Sequence, residues 1–117
     1  MSLRIGIVGA GANTRSRHIP GFQAIDGVEV VAVCNRSRAS GQKAADEFGI
    51  ANVFDDWKQL VQDAGVDAVC VGTWPYLHSA ITLESLAAGK HILTEARMAM
   101  NLEEGRSMLS ASQGSDK

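Results

Sequence analysis

Residues 3–8, LRIGIV, lead directly into the glycine-rich segment GAGANT at residues 9–14. A short apolar run is typical of a buried strand, and a second one, VEVVAVC, follows at residues 28–34. In a βαβ unit, glycines of the first turn let the backbone approach a pyrophosphate, and the next helix directs its amide hydrogens at it. Thr14 stands where the third glycine of this fingerprint is expected. The pattern favours a dinucleotide-binding unit over an ordinary structural glycine turn.

The residues that end the second strand are expected to face the adenosine ribose. Asn35 lies 21 residues after Thr14, close to the spacing of about 20 residues that the fingerprint requires. A site that prefers NAD usually carries Asp or Glu there, whereas Asn35 is followed by Arg36, Ser37 and Arg38. The planar fork of arginine matches a phosphate group, and its face can stack on adenine. NADP is therefore the predicted cofactor, and NAD is the alternative. The other interpretation of the two arginines is that they only begin a solvated helix.

Composition limits the classes of function. The chain has 117 residues, enough for one domain with a core of its own, and a net charge of −2. This charge argues against a nucleic acid or an anionic membrane as partner. No apolar run approaches the roughly 20 residues of a membrane span, and the first strand begins too early for a signal peptide. Cys34 and Cys70 are expected to be buried thiols rather than a disulfide, which predicts a cytoplasmic protein.

Strand and helix patterns alternate along the whole chain, which predicts a parallel sheet covered on both faces. The fold class expected is α/β: a Rossmann-type doubly wound sheet of about five strands, order 3-2-1-4-5, in three α/β/α layers. We expect a dinucleotide-binding domain over residues 1–112 and a polar tail over 113–117. The predicted strands are 3–8, 28–34, 52–54, 68–71 and 91–94. The predicted helices are 15–25, 38–48, 56–63, 76–88 and 101–112.

Signals at the helix ends support these bounds. Gly49 suits the left-handed position after the second helix, and Asp56 with Gln59 has the spacing of a capping box. The other N-caps expected are Ser37 and Asn101. Ligands of such a sheet bind at the carboxyl ends of the strands, at the switch point between the first and fourth. Four loops should therefore surround one cleft: residues 9–15, 35–38, 72–78 and 94–98.

Two further motifs follow the fourth and fifth strands. Residues 73–78 read TWPYLH, and residues 88–95 read AGKHILTE. With the glycine turn they resemble the glucose–fructose oxidoreductase / inositol dehydrogenase (Gfo/Idh/MocA) family, which carries Thr-Pro-Asn-x-x-His and Ala-Gly-Lys-His-Val before Glu-Lys-Pro. The resemblance covers nearly the whole chain. It implies an NAD(P)-dependent oxidoreductase acting on a sugar, a polyol or a similar small hydroxyl or carbonyl compound, with a C-terminal substrate domain that this chain lacks.

One departure from the family concerns catalysis. The family's Glu-Lys-Pro is Glu95-Ala96-Arg97 here, so the lysine near substrate and nicotinamide is absent. Arg97 is a poor proton carrier, because its pKa exceeds about 12, although it could orient an anionic substrate. His78 and Arg97 are thus only weak catalytic candidates, and His78 could equally be a capping or packing residue. Without the lysine, a non-catalytic NAD(P)-binding sensor or assembly module remains the alternative function.

The resemblance and the loop positions together predict the cofactor site. Trp74 could shield the nicotinamide or pack against a loop, and His18 and His91 are expected to be structural. No metal site is predicted. The pyrophosphate residues expected are Gly9, Gly11, Ala12, Asn13, Thr14 and Arg15. The residues expected at the adenosine ribose are Asn35, Arg36, Ser37 and Arg38. Those expected along the path to the nicotinamide are Thr73, Trp74, Pro75, His78, Glu95 and Ala96.

The last prediction from the sequence concerns self-association. If residues 1–117 are all that is present, the fifth strand leaves an open edge beside apolar residues. A homodimer or larger assembly through the C-terminal region is therefore expected. The apolar residues nearest that end are Met98, Met100, Met108 and Leu109.

Overall fold

One parallel sheet of five strands runs through the computed structural model, which describes residues 2–117. Its order is β3-β2-β1-β4-β5, as predicted. All five strands have the bounds expected from the sequence: β1 (Leu3–Val8), β2 (Val28–Cys34), β3 (Asn52–Phe54), β4 (Ala68–Val71) and β5 (His91–Thr94). Val8, Cys34 and Val71 are register partners at the carboxyl end of the sheet. The turns that follow β1, β2 and β4 therefore meet at one edge.

Helices cover both faces of the sheet, which confirms the three-layer architecture. The helices are α1 (Ile19–Gln23), α2 (Arg38–Phe48), α3 (Trp57–Gln62), α4 (His78–Ala87) and α5 (Leu102–Gln113). The side chains of α1 and α2 pack with Ile5 and Ile7 of β1 on one face. Those of α3 and α4 pack with Val8 and Val71 on the other, and α5 packs on α4. Because the central strands are covered twice, they are apolar along nearly their whole length.

The first helical segment differs from the single helix predicted over residues 15–25. Residues Thr14–His18 form a π turn, closed by a hydrogen bond from the Ile19 amide to the Thr14 carbonyl, and α1 begins only after it. Pro20 explains the break, because it has no amide hydrogen and its ring clashes with the carbonyl four residues earlier in an α-helix. Single π turns are common at functional sites. This one lies directly after the glycine turn.

The predicted N-caps are confirmed at α2, α3 and α5. The Ser37 hydroxyl accepts a hydrogen bond from the Ser40 amide, 3.1 Å away, and the Asn101 side chain accepts one from the third residue of its helix. The predicted capping box between Asp56 and Gln59 is wrong. Asp56 Oδ1 accepts from the amide of Lys58 at 3.0 Å, one position earlier than a box requires. Gly49 has φ 69°, as predicted after α2.

The two cysteines are free and buried, as expected. They lie on the strands that flank β1 on either side. Burial raises the pKa of the Cys34 thiol to about 11 and that of the Cys70 thiol to about 12. Both thiols are therefore protonated at neutral pH. Within residues 2–117 we find no helix with the length and apolar character needed to span a membrane.

Arg4 at the start of β1 clamps Asp67, which precedes β4. The carboxylate accepts hydrogen bonds from the Arg4 amide, Nε and Nη2, each 2.9 Å long. These bonds lower the pKa of Asp67 to about 2. Because the carboxyl pKa is lower in the folded state, this stabilisation is complete above the unfolded value of 3.8 and is lost as the pH falls toward 2.

Asp67→Asn is therefore expected to lower the melting temperature at pH 7, and by less as the pH approaches 2. The decrease should be modest, since both side chains are about a third or more exposed and solvent screens the pair. Asp116→Asn is the matched control, because its ion pair with Lys117 lies in the polar tail. Thermal unfolding at pH 7, 4 and 2.5 measures both effects. An equal decrease at all three values would contradict the assignment.

Candidate cofactor-binding site

A cavity of about 850 Å³ opens at the carboxyl edge of the sheet, over the switch point between β1 and β4. Three of the four predicted loops line it, namely residues 9–15, 35–38 and 72–78, together with residues that follow β3. The fourth loop, 94–98, lies beside the cavity without lining it. The lining residues are Val8, Gly9, Gly11, Cys34, Asn35, Arg36, Ser37, Ser40, Asp55, Asp56, Trp57, Gly72, Thr73, Trp74, Tyr76 and Leu77.

The glycine turn is pressed against the loop after β4. Gly9 has φ 90°, and a Cβ there would lie 2.6 Å from the Thr73 amide nitrogen. Its own amide donates to the Cys34 carbonyl at 2.8 Å. Gly11 differs, because a Cβ built on it meets no atom within 4 Å. Gly9 is thus required by packing, whereas the absent side chain of Gly11 leaves room at the cavity for a close approach of ligand to backbone.

Other groups in this turn suit an anionic ligand. The Nε atom of Arg15 is buried and has no hydrogen-bond partner among residues 2–117. A buried donor of this kind ordinarily has a partner, since leaving it unpaired is costly. Ala12 and Asn13 are exposed at the start of the first helical segment. Of the predicted pyrophosphate residues, Gly9 and Gly11 line the cavity. The roles of Ala12, Asn13, Thr14 and Arg15 stay predictions.

Asn35 connects the tip of β2 to this turn. Its Oδ1 accepts a hydrogen bond from the Ala10 amide at 3.1 Å. An aspartate would provide the same acceptor but add a negative charge beside the cavity. Asn35 thus keeps the turn in place without adding a negative charge. The region after β2 is therefore more favourable to a phosphate group than it would be with Asp at this position.

The other three residues predicted at the ribose have different surroundings. The guanidinium carbon of Arg36 lies 5.7 Å from the centre of the Trp74 ring. Arg38 forms an ion pair with Asp55, with 3.2 Å between Nη1 and Oδ1. The Ser37 hydroxyl is occupied by capping α2. Of these three side chains, only that of Arg36 neither pairs with a carboxylate nor caps a helix among residues 2–117.

Thr14 occupies the position of the missing third glycine for a steric reason. Its side chain is buried against Gly72, so closely that a Cβ on Gly72 would overlap the Thr14 hydroxyl. The hydroxyl donates to Glu95 Oε1 at 3.3 Å. Nε2 of His18 lies 3.2 Å from the same oxygen but outside hydrogen-bonding geometry. The pyrophosphate turn and the loop after β5 are thereby held together.

His78 is fully buried at the start of α4. Its Nδ1 lies 2.9 Å from the Arg97 carbonyl oxygen, and its Nε2 lies 2.9 Å from that of Thr73. A proton carrier at this position would have to give up a bond to the backbone. The side chains of Ala96 and Arg97 are exposed in the adjoining loop, and Pro75 begins a short 3-10 turn. The predicted catalytic roles of His78 and Arg97 stay predictions.

Sequence reasoning missed two features of this region. Asp55 and Trp57 line the cavity because β3 lies beside β2, so the residues after β3 adjoin the ribose region. The predicted strand order contained that information. The approach of His18 to Glu95 had no such signal, since the two residues are 77 positions apart in the sequence. Among residues 2–117, no group of three His, Cys, Asp or Glu side chains could hold a metal ion.

A doubly wound parallel sheet with a glycine turn and an open cavity at its switch point defines a dinucleotide-binding Rossmann domain. A family model described as "Oxidoreductase family, NAD-binding Rossmann fold" (GFO_IDH_MocA) matches residues 3–117. The chain belongs to this family, as the resemblance implied, and it is an NAD(P)-binding domain.

Individual relatives agree with this assignment. The chain is 40% identical over 108 residues to 1,5-anhydro-D-fructose reductase of Ensifer adhaerens, covering 92% of the chain and 32% of that protein. It is 32% identical over 118 residues to inositol 2-dehydrogenase of Paracoccus denitrificans, covering 100% of the chain and 35% of the relative. The chain therefore spans about a third of the length of the curated relatives it matches.

Solved structures with NADP share the fold. Biliverdin reductase from Synechocystis, solved with biliverdin and NADP+, superimposes with a TM-score of 0.89 and 30% identity, covering 96% of this chain and 35% of that one. A mutant 3-ketoreductase from Actinomadura kijaniata, solved with TDP-benzene and NADP, gives a TM-score of 0.90 and 25% identity, covering 98% and 36%.

Proposed function

We propose that this chain is the cofactor-binding part of an oxidoreductase that moves a hydride to or from a hydroxyl-bearing carbon. The observation that carries the proposal is the open space over Gly11, which lines a cavity of about 850 Å³ at the carboxyl edge of the sheet, together with the unpartnered Nε of Arg15 four residues later. The bound nicotinamide supplies the hydride chemistry. The chain's own residues hold the pyrophosphate at the turn and the adenosine ribose at the tip of β2. Titration calorimetry with NADPH tests this directly, and no binding would overturn it.

A sugar, a polyol or a similar small compound is the proposed substrate class. It is supported by relatives named as reductase or dehydrogenase of 1,5-anhydro-D-fructose, inositol and D-glucosides. The substrate would bind at the nicotinamide end of the cleft, near Thr73, Glu95 and Ala96, against a further domain. Because that further domain would supply half of the substrate cleft, the chain alone is not expected to turn over.

The second candidate is a non-catalytic NAD(P)-binding sensor or assembly module. Ala96, which can neither bond a hydroxyl nor carry a charge, favours it. Comparing the intact mass of the native protein with the encoded length tells whether a substrate domain follows. If one does, NADPH oxidation by that full protein with a set of keto-sugars separates the two candidates.

NADPH is expected to bind more tightly than NADH. Arg36→Ala should narrow this difference by about 1–2 kcal/mol, the scale of a charge-assisted hydrogen bond. Arg38→Ala is the matched control and should narrow it less, because Asp55 already pairs with that guanidinium. Calorimetry with both cofactors measures the two differences. Equal affinity of the wild type for NADPH and NADH would overturn the preference.

Self-association of the isolated chain through its C-terminal region remains a proposal, supported by exposed apolar side chains there. Met98, Met100 and Leu109 are each at least half exposed. Met108 does not belong with them, because it is buried. The exposed apolar residues in this region are Leu93, Met98, Met100, Leu102 and Leu109.

Light scattering at tens of micromolar is therefore expected to detect a dimer or larger species. Leu109→Glu should shift the isolated chain toward monomer, because it places a charge in the apolar contact. Ile25→Glu, at an equally exposed apolar residue outside the region, is the control and should leave the assembly unchanged. A monomeric wild type would contradict the proposal.

A further inference from the structure

His18 and Glu95 meet beside the glycine turn without forming a hydrogen bond. Nε2 of His18 lies 3.2 Å from Oε1 of Glu95, and that nitrogen is buried with no hydrogen-bond partner among residues 2–117. An unprotonated ring nitrogen and a carboxylate oxygen are both acceptors and repel each other at this distance, so Nε2 must carry a hydrogen. The distance already suits a hydrogen bond, and only the angle prevents one.

The groups around this pair leave one charge free to change. Arg15 and Arg17 lie in the same π turn as His18, and an arginine stays positive. From β4, the Cys70 thiol is close enough to respond to Glu95: burial and then that carboxylate raise the pKa of the thiol to about 12, so it stays neutral. Histidine, in contrast, is the side chain type that changes its charge between pH 5 and 8.

The Glu95 carboxylate lies close to the position expected for the pyrophosphate. Its Oε1 accepts a hydrogen bond from the Thr14 hydroxyl at 3.3 Å, and Thr14 directly follows residues 9–13 of the glycine turn. Its side chain is 26% exposed, so solvent screens its charge only in part. An unpaired carboxylate at this point therefore opposes the binding of an anionic ligand.

We propose that His18 is a positioning residue that acts through Glu95 and makes dinucleotide binding depend on a proton. The protonated ring donates to Glu95 and cancels the negative charge beside the glycine turn. The neutral ring leaves that charge in place, where it repels the pyrophosphate. This inference rests on the proposed function, and the observation that carries it is the short contact from His18 to Glu95 in which no hydrogen bond is formed.

The direction of the effect follows from linkage. Because the ligand favours the protonated ring, its affinity rises as the pH falls through the range in which histidine gains a proton, and binding takes up protons from solution. NAD is the probe of choice. The 2′-phosphate of NADP changes its own charge at a pH of about 6, which would hide the contribution of the protein.

Titration calorimetry with NAD at pH 8 and pH 5.5 tests the proposal. The wild-type chain should bind roughly 5-fold more tightly at pH 5.5, the scale of one ion pair in partly exposed surroundings. At pH 7 the heat of binding should vary with the ionisation enthalpy of the buffer, because the buffer supplies the protons. This second measurement needs no variant.

Glu95→Gln separates charge from structure, because it keeps an oxygen for the Thr14 hydroxyl and removes only the negative charge. It should bind NAD at pH 8 about as tightly as the wild type does at pH 5.5, with no pH dependence. His18→Phe keeps a ring that can stack on Phe22, and it should lose the pH dependence as well. His91→Gln, at an exposed histidine of β5, is the matched control and should keep it.

The outcomes distinguish this inference from the proposed function. If the wild type binds NAD equally at both pH values, or if the pH dependence survives in His18→Phe, the inference is wrong and dinucleotide binding stands. Weaker binding by Glu95→Gln at pH 8 would also overturn it, because the carboxylate would then act only as a structural link. If neither NAD nor NADPH binds the wild-type chain, both fail.

Discussion

Replacing Gly72 with alanine is expected to destabilise the folded domain by about 3 kcal/mol, the upper range for overpacking a closed site. A methyl group there would overlap the Thr14 hydroxyl and lie 2.5 Å from the Gly9 carbonyl oxygen. Neither neighbour can move easily, because Gly9 is backbone at φ 90° and Thr14 is buried in the π turn. Urea unfolding followed by circular dichroism measures the loss.

Gly11→Ala is the matched control, and it should give the opposite result. Its Cβ meets no atom within 4 Å, so the free energy of unfolding should hardly change. The methyl group would instead fill the space where ligand approaches backbone, and NADPH affinity should fall by about 3 kcal/mol, or roughly 100-fold, as charge-assisted hydrogen bonds are lost. If both variants lose stability, or both keep their affinity, the distinction between a packing glycine and a ligand glycine is wrong.

This contrast explains how Thr14 can replace the third glycine of the fingerprint. In the usual motif, that glycine permits close packing of helix and strand. Here the small residue lies on the other partner of the contact: Gly72, after β4, leaves the space that the Thr14 side chain fills. A threonine is tolerated, and its hydroxyl gains a bond to Glu95. The incomplete motif is thus compensated by a residue 58 positions away in the sequence.

The strands could be predicted from sequence because their signal is local. A doubly covered parallel strand must be apolar along its length, so β2 is visible as VEVVAVC without knowledge of its neighbours. The helix caps were predicted for the same reason, since Ser37 and Asn101 bond amides only three residues away. The π turn was not predicted, although Pro20 marked the place where a regular helix had to break.

The site could be predicted only as a set of loops. Strand order placed the turns after β1, β2 and β4 together, but the partners within them depend on side chains far apart in sequence. Arg38 and Asp55 are 17 residues apart, and Thr14 and Glu95 are 81 apart. Charge counting after β2 therefore overstated the positive potential there, because Asp55 neutralises Arg38. No local pattern carries that information.

His78→Ala is expected to lower the free energy of unfolding by about 3–4 kcal/mol. The change leaves a cavity and removes an imidazole whose two nitrogens lie 2.9 Å from the backbone carbonyl oxygens of Arg97 and Thr73. It also disconnects the loop after β4 from the loop after β5, so NADPH affinity should fall as well.

His91→Ala is the control for this prediction, because His91 is exposed at the start of β5 and should contribute little. Urea unfolding of both variants, with NADPH affinity measured on the folded fraction, tests the two consequences together. If His78→Ala behaved like His91→Ala, the buried imidazole would not be what joins the two loops. A stability loss without a loss of affinity would instead mean that the loops keep their places without it.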